Sequence, residues 1–315
     1  MSFDLTEKRI WVAGASGMVG QAICRRLKHE NPSQLLTPSS KELDLRDQTQ
    51  TLSWLQDNKP DAIFMAAAKV GGIMANSTYP AQFLYDNLMM AANVIHGAYK
   101  ADVEKLLFLG SSCIYPKLAP QPLKETSLMT GPLEPTNAPY AMAKITGIYL
   151  CETYRREFGC NFISAMPTNL YGAGDNYHPE NSHVIPALIH KAHVAKISGA
   201  KALSIWGSGS PLREFLNADD CADAIVHVMK NYSDAETINI GSGKEISITQ
   251  LAQVICDTVG FQGQLEFDTS KPDGTPRKLM SSDKLRGLGW RPKTDLRTGL
   301  KKAYEDYLKH ETSLN

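Results

Sequence analysis

The sequence lacks an excess of charge of either sign. Lysine and arginine together number 33, as do aspartate and glutamate, over 315 residues. Balanced charge gives no general attraction to nucleic acids or anionic membranes, so we expect neither as a partner and favour small molecules. Long apolar runs are missing too, because no stretch approaches the roughly 18 uninterrupted apolar residues of a membrane-spanning helix.

Paired cysteines and an N-terminal leader are also missing. The cysteines show neither C-x-x-C spacing nor a regular pattern, so nothing indicates a metal site or a disulfide framework. They are Cys24, Cys113, Cys151, Cys160, Cys221 and Cys256. The opening residues, MSFDLTEKRIWVAG, contain no apolar segment after a basic start, as a secretory signal would. Together these features predict a cytoplasmic protein with reduced thiols.

Apolar strand-like segments alternate with helix-length amphipathic segments in the first half of the chain. Strands are predicted at RIWVAG, QLLTP, DAIFMAAA, KLLFLG and NFISAMP, and helices at 18–28, 48–57, 81–100 and 139–158. This alternation is typical of an α/β fold with a doubly wound parallel sheet and right-handed crossover helices.

Three glycines follow the first predicted strand in the segment VAGASGMVG. Gly14 permits a tight turn, Gly17 lets the backbone approach a pyrophosphate, and Gly20 lets helix and strand pack closely. An ordinary flexible turn is the alternative, but the strand and helix on either side favour a dinucleotide site at the helix N-terminus. The predicted cofactor contacts are Gly14, Ala15, Ser16, Gly17, Met18, Val19 and Gly20.

The stretch TPSSKELDL follows the second predicted strand. An acidic residue there would bind the ribose hydroxyls of NAD. Ser39, Ser40 and Lys41 instead offer hydroxyl donors and one positive charge, which suit the 2′-phosphate of NADP(H) better, although a solvated turn is the alternative. Asp44 and Leu45 are expected beside the adenine.

These observations predict two parts of the chain. A Rossmann domain is expected at 1–170, with a returning segment near 211–240. After about residue 170 the sequence becomes rich in Gly, Asn, His and Pro. A smaller α/β lobe, formed by 171–210 and 241–315, is expected to bind substrate, with helices near 184–196, 219–230, 247–259 and 296–309.

PYAMAK places Tyr140 and Lys144 one turn apart on a helix face. An ammonium near a phenol favours the phenolate, so Lys144 is expected to lower the pKa of Tyr140 and let it exchange a proton with a carbonyl or carbinol oxygen. Ser111, at the end of the strand KLLFLG, is expected to hold that same oxygen. Either residue alone would read as a surface residue; the combination favours a catalytic set.

The motifs GASGMVG and YAMAK, with the strand-end serine, resemble the extended short-chain dehydrogenase/reductases. Further blocks are similar to one branch, the GDP-4-keto-6-deoxy-D-mannose epimerase/reductases: AAAKVGG from Ala66, LGSSCIYP from Leu109, PTNAPY from Pro135, MPTNLYG from Met166, NSHVIP from Asn181, WGSGSPLREF from Trp206 and SKPDGTPRK from Ser270. These blocks span nearly the whole chain, and together they are far more specific than any one alone.

The resemblance implies epimerisation at C3 and C5 of GDP-4-keto-6-deoxy-D-mannose, followed by NADPH reduction at C4 to GDP-L-fucose. A C4 ketone acidifies the neighbouring C–H bonds, so a base and an acid are required. Cys113 is the candidate base, since a thiol with its usual pKa of about 8.5 serves if its thiolate is stabilised. His183 is the candidate acid. The other five cysteines are expected to be small buried hydrophobes.

By the same resemblance, further contacts to the nicotinamide end are expected from Leu109, Gly110, Ser112, Lys144, Pro167, Thr168, Asn169, Leu170 and His183. GDP would be held by Lys191, Trp206, Arg213 and Asp273, although Trp206 could equally belong to the core. The chain departs from some relatives in having Ser16 and Ser40 where they have arginines for the 2′-phosphate. Lys191 likewise replaces an arginine, which leaves a point charge instead of a bidentate contact.

Other functions stay open at this level. A related enzyme acting on a 4-keto-3,6-dideoxy sugar, as in colitose synthesis, would invert only C5. A non-reducing 4-epimerase would not need the cysteine and histidine pair. A non-catalytic NADP-binding regulator is a different class, against which the Tyr140 and Lys144 pair argues. Helices 81–100 and 139–158 are expected to form a four-helix interface in a homodimer, by resemblance.

Overall fold

The computed structural model describes residues 2–178, 182–271 and 273–312. The strands are β1 (Arg9–Ala13), β2 (Gln34–Leu36), β3 (Ala62–Met65), β4 (Lys105–Leu109), β5 (Phe162–Pro167), β6 (Asn169–Tyr171), β7 (Ala202–Trp206), β8 (Leu212–Asn217), β9 (Ile238–Ile240), β10 (Glu245–Ser247), β11 (Gln264–Asp268) and β12 (Arg277–Lys278). The helices are α1 (Met18–Leu27), α2 (Gln48–Asn58), α3 (Ile73–Thr78), α4 (Pro80–Lys100), α5 (Ala138–Phe158), α6 (Val184–Ile197), α7 (Ala218–Asn231), α8 (Ile248–Val259), α9 (Asp283–Gly287) and α10 (Leu296–Thr312).

Six parallel strands form the main sheet in the order β2-β1-β3-β4-β5-β9. Strands β3, β4 and β5 are buried along their whole length, which explains why they read as continuous apolar runs. One apolar core packs α1 and α7 on one face, and a second packs α2, α4 and α5 on the other. The predicted α/β doubly wound fold is confirmed.

The strand order reverses between β1 and β3, since the chain first adds β2 on one side and then β3 on the other. In open α/β sheets, ligands bind outside the carboxyl ends of the strands at such a switch point. The turns after β1, β3 and β4 therefore converge where the sequence predicts the cofactor.

A second group of strands surrounds β8. Strand β8 pairs antiparallel with β10 and parallel with β12 and β6, while β7 pairs with β11 in a separate two-stranded sheet. Helices α6, α8 and α10 supply the apolar core of this part. Strand β9 then returns to the main sheet beside β5. The residue boundaries of the two predicted parts stay a prediction.

Local signals place the helix ends close to the predicted ones. Ser247 and Gln250 form a capping box at the start of α8, and Gly260, with a φ of 82°, ends that helix. Gly159 ends α5 in the same left-handed conformation, with a φ of 72°. The short elements α3, α9, β10 and β12 have too few residues to show a period, and no pattern in the sequence predicted them.

All six cysteines are free, but they are not equally buried. Cys151, Cys221 and Cys256 are buried as expected, whereas Cys24 and Cys160 are only partly buried. The expectation of five buried thiols is therefore wrong for these two. Cys24 lies at the margin of the core packed by α1, and Cys160 follows the end of α5, where packing is incomplete on one side. Within the described ranges, no helix is long and apolar enough to cross a membrane.

Candidate active site

The turn between β1 and α1 gives its three glycines different surroundings. Gly14 has a φ of +85°, and a Cβ there would lie 2.6 Å from the backbone of Ala67. A Cβ on Gly20 would lie 2.0 Å from the carbonyl oxygen of Gly14. A Cβ on Gly17 would meet only that oxygen, at 3.6 Å, so its direction is open. The turn thus presents bare backbone at the N-terminus of α1, which fits a dinucleotide pyrophosphate.

The other loop residues surround this opening. Ser16 is exposed, and its carbonyl accepts a hydrogen bond from Gln21 at 2.7 Å. Ala15, Met18 and Val19 pack against the core beneath the turn. Their side chains therefore hold the turn to the sheet, while its upper side consists of backbone.

The turn after β2 carries the residues predicted to read the adenosine phosphate. Ser39, Ser40 and Lys41 are all exposed. The backbone N–H of Ser39 donates to the carboxylate of Glu42 at 2.7 Å. An acidic group thus lies beside Ser39. A 2′-phosphate contact at Lys41 stays a prediction.

Asp44, predicted beside the adenine, is engaged by another residue. Arg46 donates to both of its carboxylate oxygens, at 2.9 and 2.7 Å, and these bonds lower the pKa of Asp44. Leu45 packs against the core below α4, and its carbonyl accepts from Asn93 at 3.0 Å. A carboxylate has lone pairs beyond those that Arg46 occupies, so an adenine contact at Asp44 is still compatible with this geometry.

Ser111, Cys113 and Tyr140 meet at the carboxyl end of β4. Ser111 caps a one-turn 3₁₀ helix, which brings the Sγ of Cys113 to 3.2 Å from the Oγ of Ser111. Tyr140 enters from the first turn of α5, close enough to Ser111 for that side chain to lower the pKa of the phenol. The strand end and the helix start therefore place two hydroxyls and a thiol around one point.

The electrostatics of Tyr140 differ from the expectation. Burial of the phenol, followed by the negative charge of a Cys113 thiolate, raises the pKa of Tyr140, although Lys144 lies close by. The predicted lowering is wrong in this structure because desolvation of the phenolate and the charge of Cys113 outweigh the lowering effect of the Ser111 hydroxyl. Tyr140 is consequently held as a neutral phenol, which is the form that donates a proton.

Lys144 is fixed between the strand end and the tyrosine. It is 3% exposed, and its Nζ donates to the carbonyl of Leu109 at 2.8 Å and lies 5.9 Å from the ring centroid of Tyr140. Burial lowers the pKa of Lys144 to about 8, against the opposing effect of Cys113. Lys144 is therefore still mainly an ammonium at neutral pH.

His183 and Lys278 approach the same place from the other part of the chain. His183 is the cap residue of α6 and Lys278 ends β12. Burial lowers the pKa of Lys278, while the Cys113 thiolate raises it and Arg213 lowers it. Part of the His183 surface is exposed to solvent. Desolvation by the surrounding protein, followed by the positive charge of Lys278, nevertheless lowers the pKa of His183. Cys113, His183, Arg213 and Lys278 thus share one electropositive neighbourhood. The lowered pKa leaves the His183 imidazole mostly neutral at neutral pH and makes its protonated form a stronger acid.

Lys278 and Asn137 are site residues to which the sequence analysis gave no role. Both line a cleft that opens beside Cys113 and Lys117. The Oδ1 of Asn137 is buried without a hydrogen-bond partner, which is the state expected of a group that binds a ligand. Both residues lie in the blocks PTNAPY and SKPDGTPRK, so the signal was present, but only the fold brings the two blocks together.

The strand ends of β4 and β5 lie side by side, with Leu109 opposite Ala165. The residues predicted to contact the nicotinamide lie along these two ends: Leu109, Gly110, Ser112, Pro167 and Thr168 are buried, and Asn169 and Leu170 are partly buried. Hydrogen bonds hold this segment in place; for example, the side-chain amide of Asn169 donates to the carbonyl of Glu214 at 2.8 Å. The arrangement provides a rigid wall beside Lys144.

The residues predicted to hold GDP form a second cluster. Trp206 is 53% exposed, so it is not a core residue, and the Nζ of Lys191 lies 5.1 Å from its ring centroid. Lys271, which was not predicted, lies 5.5 Å from the same centroid. Arg213 is partly buried near Asp273; burial lowers the pKa of Arg213 and Asp273 raises it. An exposed indole with several cations suits a nucleotide base and its phosphates.

Asp273 is already bound within this cluster. Its carboxylate accepts from the backbone N–H of Ser208 at 2.6 Å and from the Ser208 hydroxyl at 2.8 Å. A Cβ on Gly207 would lie 2.2 Å from Asp273, so a glycine is required there. Among the residues that the structure describes, no group of three His, Cys, Asp or Glu side chains could hold a metal ion.

Comparison with known proteins decides the family. Residues 10–241 match the model of the NAD dependent epimerase/dehydratase family. The chain belongs to this family.

Three similar proteins illustrate the range of relatives. A GDP-L-fucose synthase of Sinorhizobium fredii is 59% identical over 96% of this chain and 96% of its own. A GDP-L-colitose synthase of Yersinia pseudotuberculosis is 40% identical over 97% of this chain and 99% of its own. A GDP-L-fucose synthetase of Naegleria fowleri, solved bound to NADP, is 32% identical with a TM-score of 0.92, covering 99% of this chain and 96% of that one.

Two glycine variants test the cofactor turn. In Gly17→Ala the new methyl group meets open space in the protein, so the variant should unfold at nearly the parent's temperature but bind NADPH at least about tenfold more weakly. Gly20→Ala should lose thermal stability as well, because its methyl group overlaps the Gly14 carbonyl. Fluorescence titration with NADPH and thermal unfolding measure both. Unchanged NADPH affinity in Gly17→Ala would place the pyrophosphate elsewhere.

Proposed function

We propose that this chain converts GDP-4-keto-6-deoxy-D-mannose to GDP-L-fucose by epimerisation at C3 and C5 and reduction at C4 with NADPH. The observation that carries the proposal is the thiol of Cys113, 3.2 Å from the Oγ of Ser111 and beside Tyr140. A simple ketone reductase needs the hydroxyls and Lys144. A second acid-base group at the same point is useful only if the carbons next to the carbonyl also react.

Epimerisation begins with the C4 carbonyl. The hydroxyls of Ser111 and Tyr140 donate to O4 and stabilise the negative charge that develops there when a neighbouring C–H bond breaks. Cys113, as a thiolate, removes the proton from C3 or C5. Lys144 and Lys278 both interact electrostatically with this sulfur.

Inversion requires a proton on the opposite face of the sugar. His183, the cap residue at the start of α6, is proposed to supply that proton. Its lowered pKa makes the imidazolium a stronger acid but leaves less of it at neutral pH, so this step should be favoured at lower pH. Asn137, whose Oδ1 has no partner within the protein, is proposed to bind a sugar hydroxyl in the cleft.

Reduction uses the same hydrogen bonds from Ser111 and Tyr140 to O4. Bound NADPH supplies a hydride to C4. Tyr140, kept neutral by burial, donates its proton to O4 as the hydride arrives. Lys144, held by the Leu109 carbonyl, is proposed to stabilise the phenolate that remains and to bind the nicotinamide ribose. The glycine turn at 14–20 would hold the pyrophosphate, and Lys41 the 2′-phosphate.

The GDP part is proposed to lie against Trp206, Lys191, Arg213 and Asp273. The degree of similarity favours the fucose reaction over the colitose reaction, since the GDP-L-colitose synthase is 40% identical and the Sinorhizobium GDP-L-fucose synthase 59%. The intact Tyr140 and Lys144 pair speaks against a non-catalytic regulator. The cytoplasm is the proposed compartment.

We also propose that the enzyme is a homodimer built on α4 and α5. Helix α4 exposes Tyr85 at 60%, and α5 exposes Met142 at 45% and Tyr149 at 43%. Met142 and Tyr149 are seven residues apart and share a helix face. Large apolar side chains grouped on neighbouring helices are typical of an interface. Light scattering at micromolar concentration should give twice the chain mass of 34.6 kDa, and a monomer mass would contradict the dimer.

The reaction is tested by product identification. Purified protein should consume NADPH with GDP-4-keto-6-deoxy-D-mannose, and NMR should identify GDP-L-fucose. The 4-keto-3,6-dideoxy analogue is the comparison substrate and should react more slowly. Absence of NADPH consumption with either sugar would refute the proposal, and faster turnover of the dideoxy sugar would replace it with the colitose reaction.

Two variants separate the two halves of the reaction. Cys113→Ser should stop incorporation of solvent deuterium at C3 and C5, because a hydroxyl is too weak an acid to form the required anion, while NADPH affinity stays unchanged. Tyr140→Phe should retain part of that incorporation but lose reduction by at least about a hundredfold. Mass spectrometry of the sugar and absorbance of NADPH report the two steps. Continued incorporation in Cys113→Ser would exclude the thiol as base.

A further inference from the structure

The turn before α1 contains no side chain that could attract a phosphate. Its residues, from Gly14 to Gly20, include no lysine or arginine, and the cap residue of the helix is a glycine, Gly17. Binding of a pyrophosphate at this turn therefore depends on how the backbone is oriented. Backbone N–H groups attract an anion, whereas the partial negative charge of an unpaired carbonyl oxygen repels it.

The peptide group between Ser16 and Gly17 is held at both ends. Its N–H, which belongs to Gly17, donates to the carbonyl of Gly14 at 3.1 Å. Its carbonyl, which belongs to Ser16, accepts from the Nε2 of Gln21 at 2.7 Å. Packing adds little to these two bonds, because Ser16 and Gly17 are both exposed. Rotation of this peptide group is therefore opposed mainly by the two hydrogen bonds.

Gln21 contacts the turn through its backbone and through its side chain. It is the fourth residue of α1, and its backbone N–H donates to the carbonyl of Gly17 at 2.8 Å. Its side chain folds back past the start of the helix to reach Ser16. Gln21 thus occupies two carbonyl oxygens of the turn, and only the bond to Ser16 depends on the type of side chain.

The segment after β6 lies against the side chain of Gln21. A Cβ on Gly174 would lie 3.2 Å from the Oε1 of Gln21. The backbone N–H of Gly174 donates to the carboxylate of Asp306 at 2.8 Å, which bonds this segment to α10. The amide of Gln21 therefore has the turn on one side and a hydrogen-bonded segment on the other.

We propose that Gln21 is a positioning residue for the cofactor, whose side-chain amide holds the Ser16 carbonyl away from the bound pyrophosphate. The inference rests on the proposed function in taking NADPH as the ligand of this turn. Without the amide, only the bond to Gly14 would oppose rotation of the peptide group. An unpaired oxygen would then lie beside the pyrophosphate, and NADPH would bind more weakly.

The test compares Gln21→Met with the parent protein in the absence of sugar. Methionine keeps the length of the side chain but cannot donate a hydrogen bond. Fluorescence titration should show NADPH bound about fivefold more weakly, as expected for the loss of one hydrogen bond. Adenosine 2′-monophosphate, measured by displacement of NADPH, should bind unchanged, because it has no group at the pyrophosphate position.

Amide exchange separates positioning from a direct contact with the cofactor. In cofactor-free protein labelled with ¹⁵N-glycine, NMR should show the Gly17 amide exchanging faster with water in Gln21→Met, because its peptide group has lost one of two bonds. If Gln21 bound a phosphate directly, NADPH affinity would fall while exchange at Gly17 stayed the same. That result would overturn the proposal.

A matched control removes an equivalent glutamine elsewhere. Gln253 is exposed on α8, and its side chain donates to Asp257 at 3.0 Å. Gln253→Met should change neither NADPH affinity nor exchange at Gly17. Both variants should unfold at nearly the parent's temperature, because both glutamines are exposed. If Gln21→Met does not fold, Gln21→Ala gives the same measurements with the best helix former.

The outcomes separate this inference from the proposed reaction. Unchanged NADPH affinity in folded Gln21→Met would refute the role of Gln21, even if the parent protein makes GDP-L-fucose. An equal loss of affinity for adenosine 2′-monophosphate would also refute it, since the effect would then lie outside the pyrophosphate site. If the expected changes occur and no sugar is converted, the role of Gln21 stands and only the proposed reaction fails.

Discussion

The thiol of Cys113 and the ammonium groups of Lys144 and Lys278 interact electrostatically in the candidate active site. Lys144 and Lys278 lie where burial disfavours their charge, and an anion at Cys113 partly restores it. The same burial keeps Tyr140 a neutral phenol, because a second anion beside the sulfur would be unfavourable. Under the proposed reaction, one environment would thus give the base and the acid to different residues, Cys113 after β4 and Tyr140 at the start of α5.

The parallel sheet makes this arrangement possible. Strand ends place Ser111 and Cys113 on rigid backbone, and the adjacent end of β5 forms the wall beside them. The loops of the second part of the chain then bring His183 and Lys278 from the opposite side. The candidate active site therefore lies between the ends of β4 and β5 on one side and His183 and Lys278 on the other. The reacting sugar would bind between them.

Local patterns in the sequence predicted the glycine turn after β1 and the residues at the start of α5. Gly14 and Gly20 have the tight turn and the close packing inferred from their spacing, and the i, i+4 spacing of Tyr140 and Lys144 correctly put both on one face of α5. The structural reason is that each of these relations lies within one turn or one strand-to-helix connection. Sequence spacing reports such relations directly.

Relations between distant segments were less accessible. Lys278 lies on a strand of two residues with no periodicity, and its approach to Cys113 depends on pairing with β8. The sign of the Tyr140 shift was wrong because spacing gives the distance to Lys144 but not the depth of burial. The exposure of Trp206 was likewise decided by its surroundings in the folded chain.

The late position of β9 has a consequence for how this chain is made. Strand β5 is buried along its whole length and needs β9 as its outer neighbour, yet β9 ends only at Ile240, after the chain has passed through β6, β7 and β8. Until then the emerging polypeptide carries an open, apolar sheet edge, which is a site for unwanted strand pairing. The nucleotide-binding part therefore cannot be produced by a single C-terminal truncation. A fragment ending near residue 170 would retain the glycine turn but lack β9, the strand that closes the edge of its sheet.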